Sequence, residues 1–273
     1  MSDDFAGKCV LITGAASGIG RETAFSFAEA CATLVLVDVD PQGLARTALL
    51  CEKLDATVHT HVVDVASARA MAALADSVHA RFACVDVLVN NAGVGVAGSF
   101  VGTELALWDW AISINVKGVI HGCHYFLPKM IERGRGGHVV NVASAAGLVA
   151  PKQLSVYATT KFAVVGFSES LRAELAVHRI GVTTICPGVI DTPITRSVRL
   201  SGNLARDRNF HERTAALYRR RNYGPERVAR AIVQAVRKRR GLVPVTPEAW
   251  ALYLGKRIAP GVVDRLLRRD API

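Results

Sequence analysis

Residues 8–38, KCVLITGAASGIGRETAFSFAEACATLVLVD, decide the fold. Lys8 to Thr13 is an apolar run with the length and composition of a buried parallel strand, and Thr33 to Val37 (TLVLV) is a second. Between them Arg21 to Ala30 reads as a helix, so the stretch is a βαβ unit, whose crossover is expected to be right-handed. Gly14, Gly18 and Gly20 fill the turn that joins the first strand to the helix. Without side chains they permit a tight turn and close backbone approach to a pyrophosphate, while the helix N-terminus offers unpaired N–H groups and a favourable dipole.

Working outward, further strands are expected at Val58–Val63, Val85–Val89, Gly137–Val142 and Gly181–Cys186, with a seventh near Leu242–Val245 and helices between them. Strands and helices alternating on this scale specify a doubly wound parallel α/β sheet with helices on both faces. No internal repeat, low-complexity tract or linker divides residues 1–273, so one domain is expected.

Ser144 follows the strand at Gly137–Val142, and Tyr157 and Lys161 come 13 and 17 residues after it in a helical segment. A Tyr-x-x-x-Lys step alone is equally well an exposed (i, i+4) pair. Placed after a strand tip that bears a hydroxyl, the phenol and ammonium can converge with it on one carbonyl. A secondary alcohol gives up its hydride only if its hydroxyl proton leaves to a base, and a free tyrosine, with a pKa of about 10, is poorly ionised at neutral pH. An ammonium one helical turn away is expected to lower that pKa by favouring the phenolate. Tyr157 is thus expected to act as general base in oxidation and general acid in reduction, with Ser144 steadying the charge on the reacting oxygen.

Together with Asn90-Asn91-Ala92-Gly93 and Asn115, these motifs resemble, in order, the short-chain dehydrogenase/reductase family over about residues 5–195. The resemblance implies a Rossmann-type, seven-stranded sheet and NAD(P)(H)-dependent interconversion of a secondary alcohol and a ketone. It also implies a homodimer or homotetramer paired through the helices that follow Asn115 and Ser155. The catalytic set would be Asn115, Ser144, Tyr157 and Lys161, with Lys161 also on the nicotinamide ribose and Asn115 holding a water that links Lys161 to solvent. Taken singly, Asn115 is equally a helix irregularity. Cofactor-binding positions would be Gly14, Ser17, Gly18, Ile19 and Gly20 at the turn, and Asp64 and Val65 at the adenine. A solvated loop aspartate is the alternative for Asp64. Asn91, Ala92 and Gly93 would lie beneath the nicotinamide, with the asparagines also tying strands together. Pro187, Gly188, Val189, Ile190 and Thr192 would complete the set, the backbone of Val189 or Ile190 and the Thr192 hydroxyl holding the nicotinamide amide.

Asp38 ends the second strand 18 residues beyond Gly20, where a carboxylate can accept hydrogen bonds from the adenosine ribose hydroxyls and would repel a 2′-phosphate. Position 17 is serine rather than a basic residue. NAD is therefore expected, with NADP kept open by Arg21.

The candidate substrate positions, Ser144 and Tyr157 with Val94, Val96, Ala145, Leu148, Val149, Leu154, Val189 and Ile190, are mostly apolar and bring no cation for a carboxylate or phosphate. They suit a steroid-, retinoid- or lipid-like alcohol, unless they are ordinary core. A variable substrate segment is expected at about 192–223. Two other readings stay open: an NAD-binding protein that docks a membrane or partner with incidental turnover, and an NADPH-dependent reductase of aldehydes or β-keto thioesters.

The net charge of +10 is uneven: residues 1–195 carry 14 Lys/Arg against 17 Asp/Glu, residues 196–273 carry 19 against 6. The tail from 247 to 273 interleaves Trp250, Tyr253, Leu254, Ile258, Val262, Val263, Leu266 and Leu267 with Lys256, Arg257, Arg265, Arg268 and Arg269, and Pro260-Gly261 is expected to break it into two short helices. Such a stretch can lie on an anionic membrane, cover the substrate pocket or pack on a partner subunit. No nucleic-acid-binding pattern accompanies the arginines. Six scattered cysteines without a C-x-x-C pair oppose a metal site or disulfide framework and read as reduced small hydrophobes. Met1-Ser2-Asp3-Asp4 lacks the start of a signal peptide and no long apolar run occurs, so a cytoplasmic protein is expected.

Overall fold

The computed structural model describes residues 5–268. Met1–Asp4 of the expected start and Arg269 of the basic tail lie outside the described residues. The strands in chain order are β1 (Cys9–Thr13), β2 (Thr33–Asp38), β3 (Val58–Val62), β4 (Val87–Asn90), β5 (Val96–Ala97), β6 (Gly137–Val142), β7 (Ile180–Cys186), β8 (Arg199–Leu200) and β9 (Leu242–Pro244). Seven of them form one sheet in the order β3-β2-β1-β4-β6-β7-β9, parallel throughout. The two-residue strands β5 and β8 pair separately and were not expected, being too short to carry a periodic signal.

The sheet is covered on both faces because alternate residues of each buried strand point to opposite sides. Val10 and Ile12 of β1, with Leu34 and Leu36 of β2, join a core that includes Phe27 of α1 (Gly18–Ala28) and Leu44 of α2 (Pro41–Glu52). Cys9, Leu11, Val35 and Val37 face the other core, with Met71 of α3 (Ala68–Arg81). The helix α4 (Leu105–Ile112) leads into α5 (Gly118–Arg133), which adds Phe126 and Met130 to that second core. Each fully buried side chain of this size contributes roughly 1.5–3 kcal/mol. Beyond them come α6 (Ser155–Glu174), α7 (Ile194–Ser197), α8 (Phe210–Arg221), α9 (Pro225–Arg237), α10 (Pro247–Ile258) and α11 (Pro260–Arg268). The tail is thus two helices broken at Pro260. No helix among the described residues is long and apolar enough to cross a membrane.

A buried polar chain sets the register between the central strands and α6. Asn90 and Asn141 are register partners on β4 and β6, and Asn90 Nδ2 donates to Asn141 Oδ1 at 2.9 Å. Asn141 Nδ2 donates to Ser168 Oγ on α6 at 2.9 Å, and Ser168 donates on to the Val164 carbonyl. Asn141→Ala strips Asn90 Nδ2 of its amide partner, leaving the 3.5 Å contact to Cys123 Sγ. The expected loss of stability is about 2 kcal/mol, read in urea titration as a lower midpoint at unchanged slope.

Candidate active site

The first half of the site lies at the carboxyl ends of β1 and β4, where the strand order reverses. Gly14 has φ +68, and a Cβ there would come within 2.8 Å of Ala92 Cα and of Asn91 Nδ2. The Asn91 amide closes that contact by donating to the carbonyls of Thr13 (2.9 Å) and Gly14 (3.1 Å). Thr13 Oγ1 accepts from the backbone N–H of Asn91 (3.0 Å) and Ala92 (3.1 Å). Gly20 stands behind the turn, where a Cβ would overlap the Gly14 carbonyl oxygen. It therefore brings α1 close to the strand and does not line the cleft, a correction to its expected place as a cofactor contact.

Gly18 and Ile19 do line the cleft. So does Ser17, the residue before α1, whose side chain makes no capping hydrogen bond; no acidic residue sits in the first turn of that helix. The leading N–H groups of α1 can accordingly serve an anion. Asp38 Oδ2 accepts from Ala16 N at 2.9 Å, which places the carboxylate at the rim of the same cleft. Arg21 turns away from it: its guanidinium donates to the Ala16 carbonyl and, at 3.2 Å, to Thr47 Oγ1. Asp64 Oδ1 caps its own loop by accepting from Ala66 N at 2.9 Å, and Asp64 and Val65 line the cleft.

The second half is built by the tip of β6 and the buried face of α6. Ser144 is extended and opens a tight turn at Ala145–Gly147, its Oγ accepting from Ala146 N at 3.1 Å. Its hydroxyl lies close enough to the Tyr157 phenol to lower that group's pKa. One turn along α6, Lys161 is only 4% exposed; Nζ donates to the Val142 carbonyl at 3.1 Å and lies 5.7 Å from the Tyr157 ring centroid. Gly93 faces it, and a Cβ there would be 3.4 Å from Nζ.

The proton affinities differ from the sequence expectation. Burial pushes the Tyr157 phenol up to about 12, against the lowering effect of the Ser144 hydrogen bond. Burial also pushes the Lys161 ammonium down to about 8. Lys161 was expected to lower the Tyr157 pKa; in this structure desolvation of the phenol dominates, and Tyr157 is a neutral proton donor at pH 7.

Asn115 is fully buried in a π-helical turn, Ser113–Lys117, between α4 and α5. Its Oδ1 accepts from Val94 N (2.8 Å), and its Nδ2 donates to Val94 O (2.9 Å) and Thr160 Oγ1 (3.0 Å). The side chain clamps the loop after Gly93 to α6 and does not line the cavity. The helix irregularity is present, and it turns the amide onto Val94 and Thr160.

The two halves open into one cavity of about 530 Å³. Val94, Val96, Ala145, Val149 and Leu154 line it beside Ser144 and Tyr157, with Pro187, Gly188, Val189, Ile190 and Thr192 on the neighbouring wall. Leu148 does not: the turn after Ser144 directs it into the small core of Val119, Ala143, Val164 and Cys186, which corrects its expected substrate role. The chain's last third supplies lining that the motifs did not mark, including Phe210, Thr214, Tyr218, Glu248 and Leu252. Glu248 Oε1 accepts from Val189 N at 3.1 Å, and Oε2 lies 3.6 Å from Arg221. Of the two backbone positions expected to hold an amide, Val189 already has its N–H bonded to Glu248, while its carbonyl and the Ile190 backbone remain for the expected contact.

The model of the family described as short chain dehydrogenase matches residues 8–202. The Mycobacterium tuberculosis "Probable oxidoreductase EphD" is 41% identical over 259 residues, 94% of this chain and 44% of that protein, so the chain spans under half of that relative. Human estradiol 17-beta-dehydrogenase 11 is 42% identical over 189 residues, 68% of this chain and 63% of the relative. A short-chain dehydrogenase/reductase of Burkholderia phymatum, solved in complex with NAD, superposes with a TM-score of 0.84 at 31% identity, covering 99% of both chains.

Burial of the Lys161 charge generates a pH signature. Below about pH 8 the residue is charged in both folded and unfolded chains, and the folded state carries the desolvation cost. Between pH 8 and 10.5 the folded lysine is neutral while the unfolded one stays charged, so its contribution to stability rises with pH. Lys161→Met lacks this dependence. From pH 7 to pH 10 the wild type should gain about 1–3 kcal/mol relative to the variant, measured by paired urea titrations.

Proposed function

Because the chain belongs to the short-chain dehydrogenase/reductase family, whose members are NAD(P)-dependent oxidoreductases, we propose that it interconverts a secondary alcohol and its ketone with NAD(H), on a substrate apolar around the reacting carbon. The observation that carries this reading is the convergence of the Ser144 hydroxyl, the Tyr157 phenol and the buried Lys161 ammonium in a cavity continuous with the glycine turn.

The cleft fits a dinucleotide. Gly14 leaves room for the Asn91–Gly93 loop, the first N–H groups of α1 suit a pyrophosphate, and Asp38 stands at the rim to accept from ribose hydroxyls. Lys161 is the one cation among the described residues that line the cavity, and Arg21 is engaged behind the turn. That arrangement favours NAD over NADP, since a 2′-phosphate would meet a carboxylate without a cation to offset it. The Val189 carbonyl, the Ile190 backbone and the Thr192 hydroxyl are the groups best placed to hold the nicotinamide amide. Bound there, NAD(H) supplies the hydride acceptor for oxidation and the donor for reduction.

The residues handle the proton and the charge. Toward a ketone, Tyr157 is already the protonated acid and transfers its hydroxyl proton to the oxygen as the carbon is reduced. Toward an alcohol, it must first lose that proton, and the ammonium of Lys161 stabilises the phenolate that results. Ser144 donates to the reacting oxygen where negative charge builds. Valine, alanine and leucine side chains around these groups exclude water and favour a lipophilic substrate. The relative named for estradiol carries a substrate of that kind in its name.

Absorbance at 340 nm with NAD or NADP, against secondary alcohols of increasing apolar size, tests this. Turnover with NAD should grow with apolar size, fall about a thousandfold in Tyr157→Phe and at least a hundredfold in Ser144→Ala. Cofactor binding without turnover on any alcohol or ketone would overturn it. Oxidation should accelerate as pH rises toward the elevated Tyr157 value while reduction slows, because one direction needs the phenolate and the other the phenol. Asp38→Asn should shift the ratio of kcat/KM values toward NADP by about tenfold or more, through the lost repulsion.

A further inference from the structure

The helices α10 and α11 fold back on each other at Ala259-Pro260. Lys256 Nζ reaches Asp264 Oδ1 across the turn, and a Cβ on Gly255 would meet Val263 Cγ2 at 3.1 Å, so Val263 packs on α10 and is buried. Ala249 and Leu252 turn inward, Leu252 to the cavity. On the outside, Trp250, Leu254 and Ile258 recur at four-residue spacing along α10, as Val262 and Leu266 do along α11. All of these are between 42% and 81% exposed. Four-residue spacing puts side chains on one helix face, so each helix presents an apolar stripe to solvent, and contiguous stripes of this kind mark protein or membrane contacts.

The charges around the stripes select the occupant. Both acids of the hairpin are engaged, Asp264 by Lys256 and Glu248 by the Val189 N–H and Arg221. Arg257, which lies over Tyr253 at 4.5 Å, and Arg265 are exposed and have no acidic partner among the described residues. Each is the chain neighbour of a stripe residue, Ile258 or Leu266. The Arg221–Glu248 contact at 3.6 Å brings the exposed end of α8, Arg219-Arg220-Arg221, against the first turn of α10. A second copy of this chain on the same face would set these cations against themselves, because a two-fold interface pairs like surfaces. An acidic protein would need a carboxylate opposite each cation. A bilayer supplies mobile anionic headgroups and hydrocarbon to one surface, which matches an apolar stripe flanked by long cationic side chains. We infer that the outer face of α10 and α11 docks on an anionic phospholipid surface, with the stripes at the boundary between headgroups and acyl chains and the arginines on the phosphates. Leu252 lines the cavity from the same helix, so docking sets the cavity beside the lipid.

Flotation of the full chain with vesicles of phosphatidylcholine, alone or mixed with phosphatidylglycerol, tests the assignment. Partitioning should be about tenfold stronger or more on the anionic vesicles and should weaken as salt is raised. Leu254→Ser combined with Ile258→Ser should cut it by about tenfold, and Arg257→Gln combined with Arg265→Gln should reduce the preference for anionic vesicles to about threefold or less, with melting temperatures checking that both variants fold. Tryptophan emission should move to shorter wavelength on anionic vesicles in the wild type and stay in place in Trp250→Phe. No partitioning onto anionic vesicles, partitioning that either double variant leaves unchanged, or an emission shift that persists in Trp250→Phe would overturn the docking face. Sedimentation showing that the serine variant splits a dimer would give the face to a second copy, and equal binding to soluble polyglutamate would give it to an acidic protein; either result overturns the lipid assignment. None of these readouts measures turnover, so they stand or fall apart from the alcohol–ketone chemistry.

Discussion

A lysine charge held out of water is the constraint on which the rest of this site depends. Lys161 is charged at neutral pH although burial lowers its proton affinity, so the surroundings must offset part of the desolvation. The Val142 carbonyl, two residues before Ser144 on the tip of β6, accepts one of its protons, and the face of Tyr157 lies beside it. Two glycines make the fit. Gly93 leaves space at Nζ, and Gly147 leaves space where its missing Cβ would come 2.7 Å from the Lys161 carbonyl oxygen. A side chain at Gly147 would press on the α6 backbone and push the helix away from the strand tip, and one at Gly93 would crowd Asn115 Oδ1 at 3.2 Å. The buried chain Asn90–Asn141–Ser168 holds the same helix farther along, so α6 is pinned to the sheet by polar contacts as well as by packing.

This arrangement explains which parts of the molecule were legible in the sequence. The inner parallel strands announce themselves because each is a short, largely apolar run bounded by turn residues and burial on both faces leaves little polar alternation to obscure it, whereas the edge strand β3 (VHTHV) is more exposed and alternates. The glycine turn and the Ser144, Tyr157 and Lys161 set are legible because their spacing follows local geometry: one strand tip, one helical turn. What escaped depends on distance along the chain. Glu248 reaches Val189 across 59 residues, and no spacing rule connects a glutamate in the tail with a backbone N–H beside Pro187. Leu148 was misplaced because a three-residue turn, too short to show a period, decides whether it faces the cavity or the core. The direction of the Tyr157 shift was missed for a different reason. The sequence shows that a cation is near but not how much water has been removed, and here desolvation raises the phenol against the lowering contact of Ser144.

The chain's basic last third looks uniform in the sequence but is divided in the structure. Arg199 stacks on Trp110 with its guanidinium carbon 3.6 Å from the ring centroid, and Arg227 and Arg257 lie over Tyr223 and Tyr253 at 4.8 and 4.5 Å. Lys256 pairs with Asp264 between α10 and α11. These cations hold secondary structure elements to aromatic faces and to each other, which is a structural use of charge. Meanwhile Trp250, Leu254 and Ile258 remain exposed along one row of α10, whereas Ala249 is buried and Glu248 and Leu252 reach the cavity. The helix is therefore two-sided: one face completes the site and the other meets the surroundings.

That two-sidedness couples the reaction centre to the least regular part of the fold. Glu248 bonds the backbone beside Gly188, where a Cβ would overlap the Thr246 hydroxyl that caps α10. Any displacement of α10 must therefore move the loop on the cofactor side or break a hydrogen bond that a partly buried carboxylate can ill spare. The same carboxylate contacts Arg221, three residues beyond Tyr218 on α8. Substrate-side helix, tail helix and cofactor-side loop thus share one acidic side chain. The strands and α6 fix Ser144, Tyr157 and Lys161, whereas the facing walls of the cavity come from elements joined by that single carboxylate.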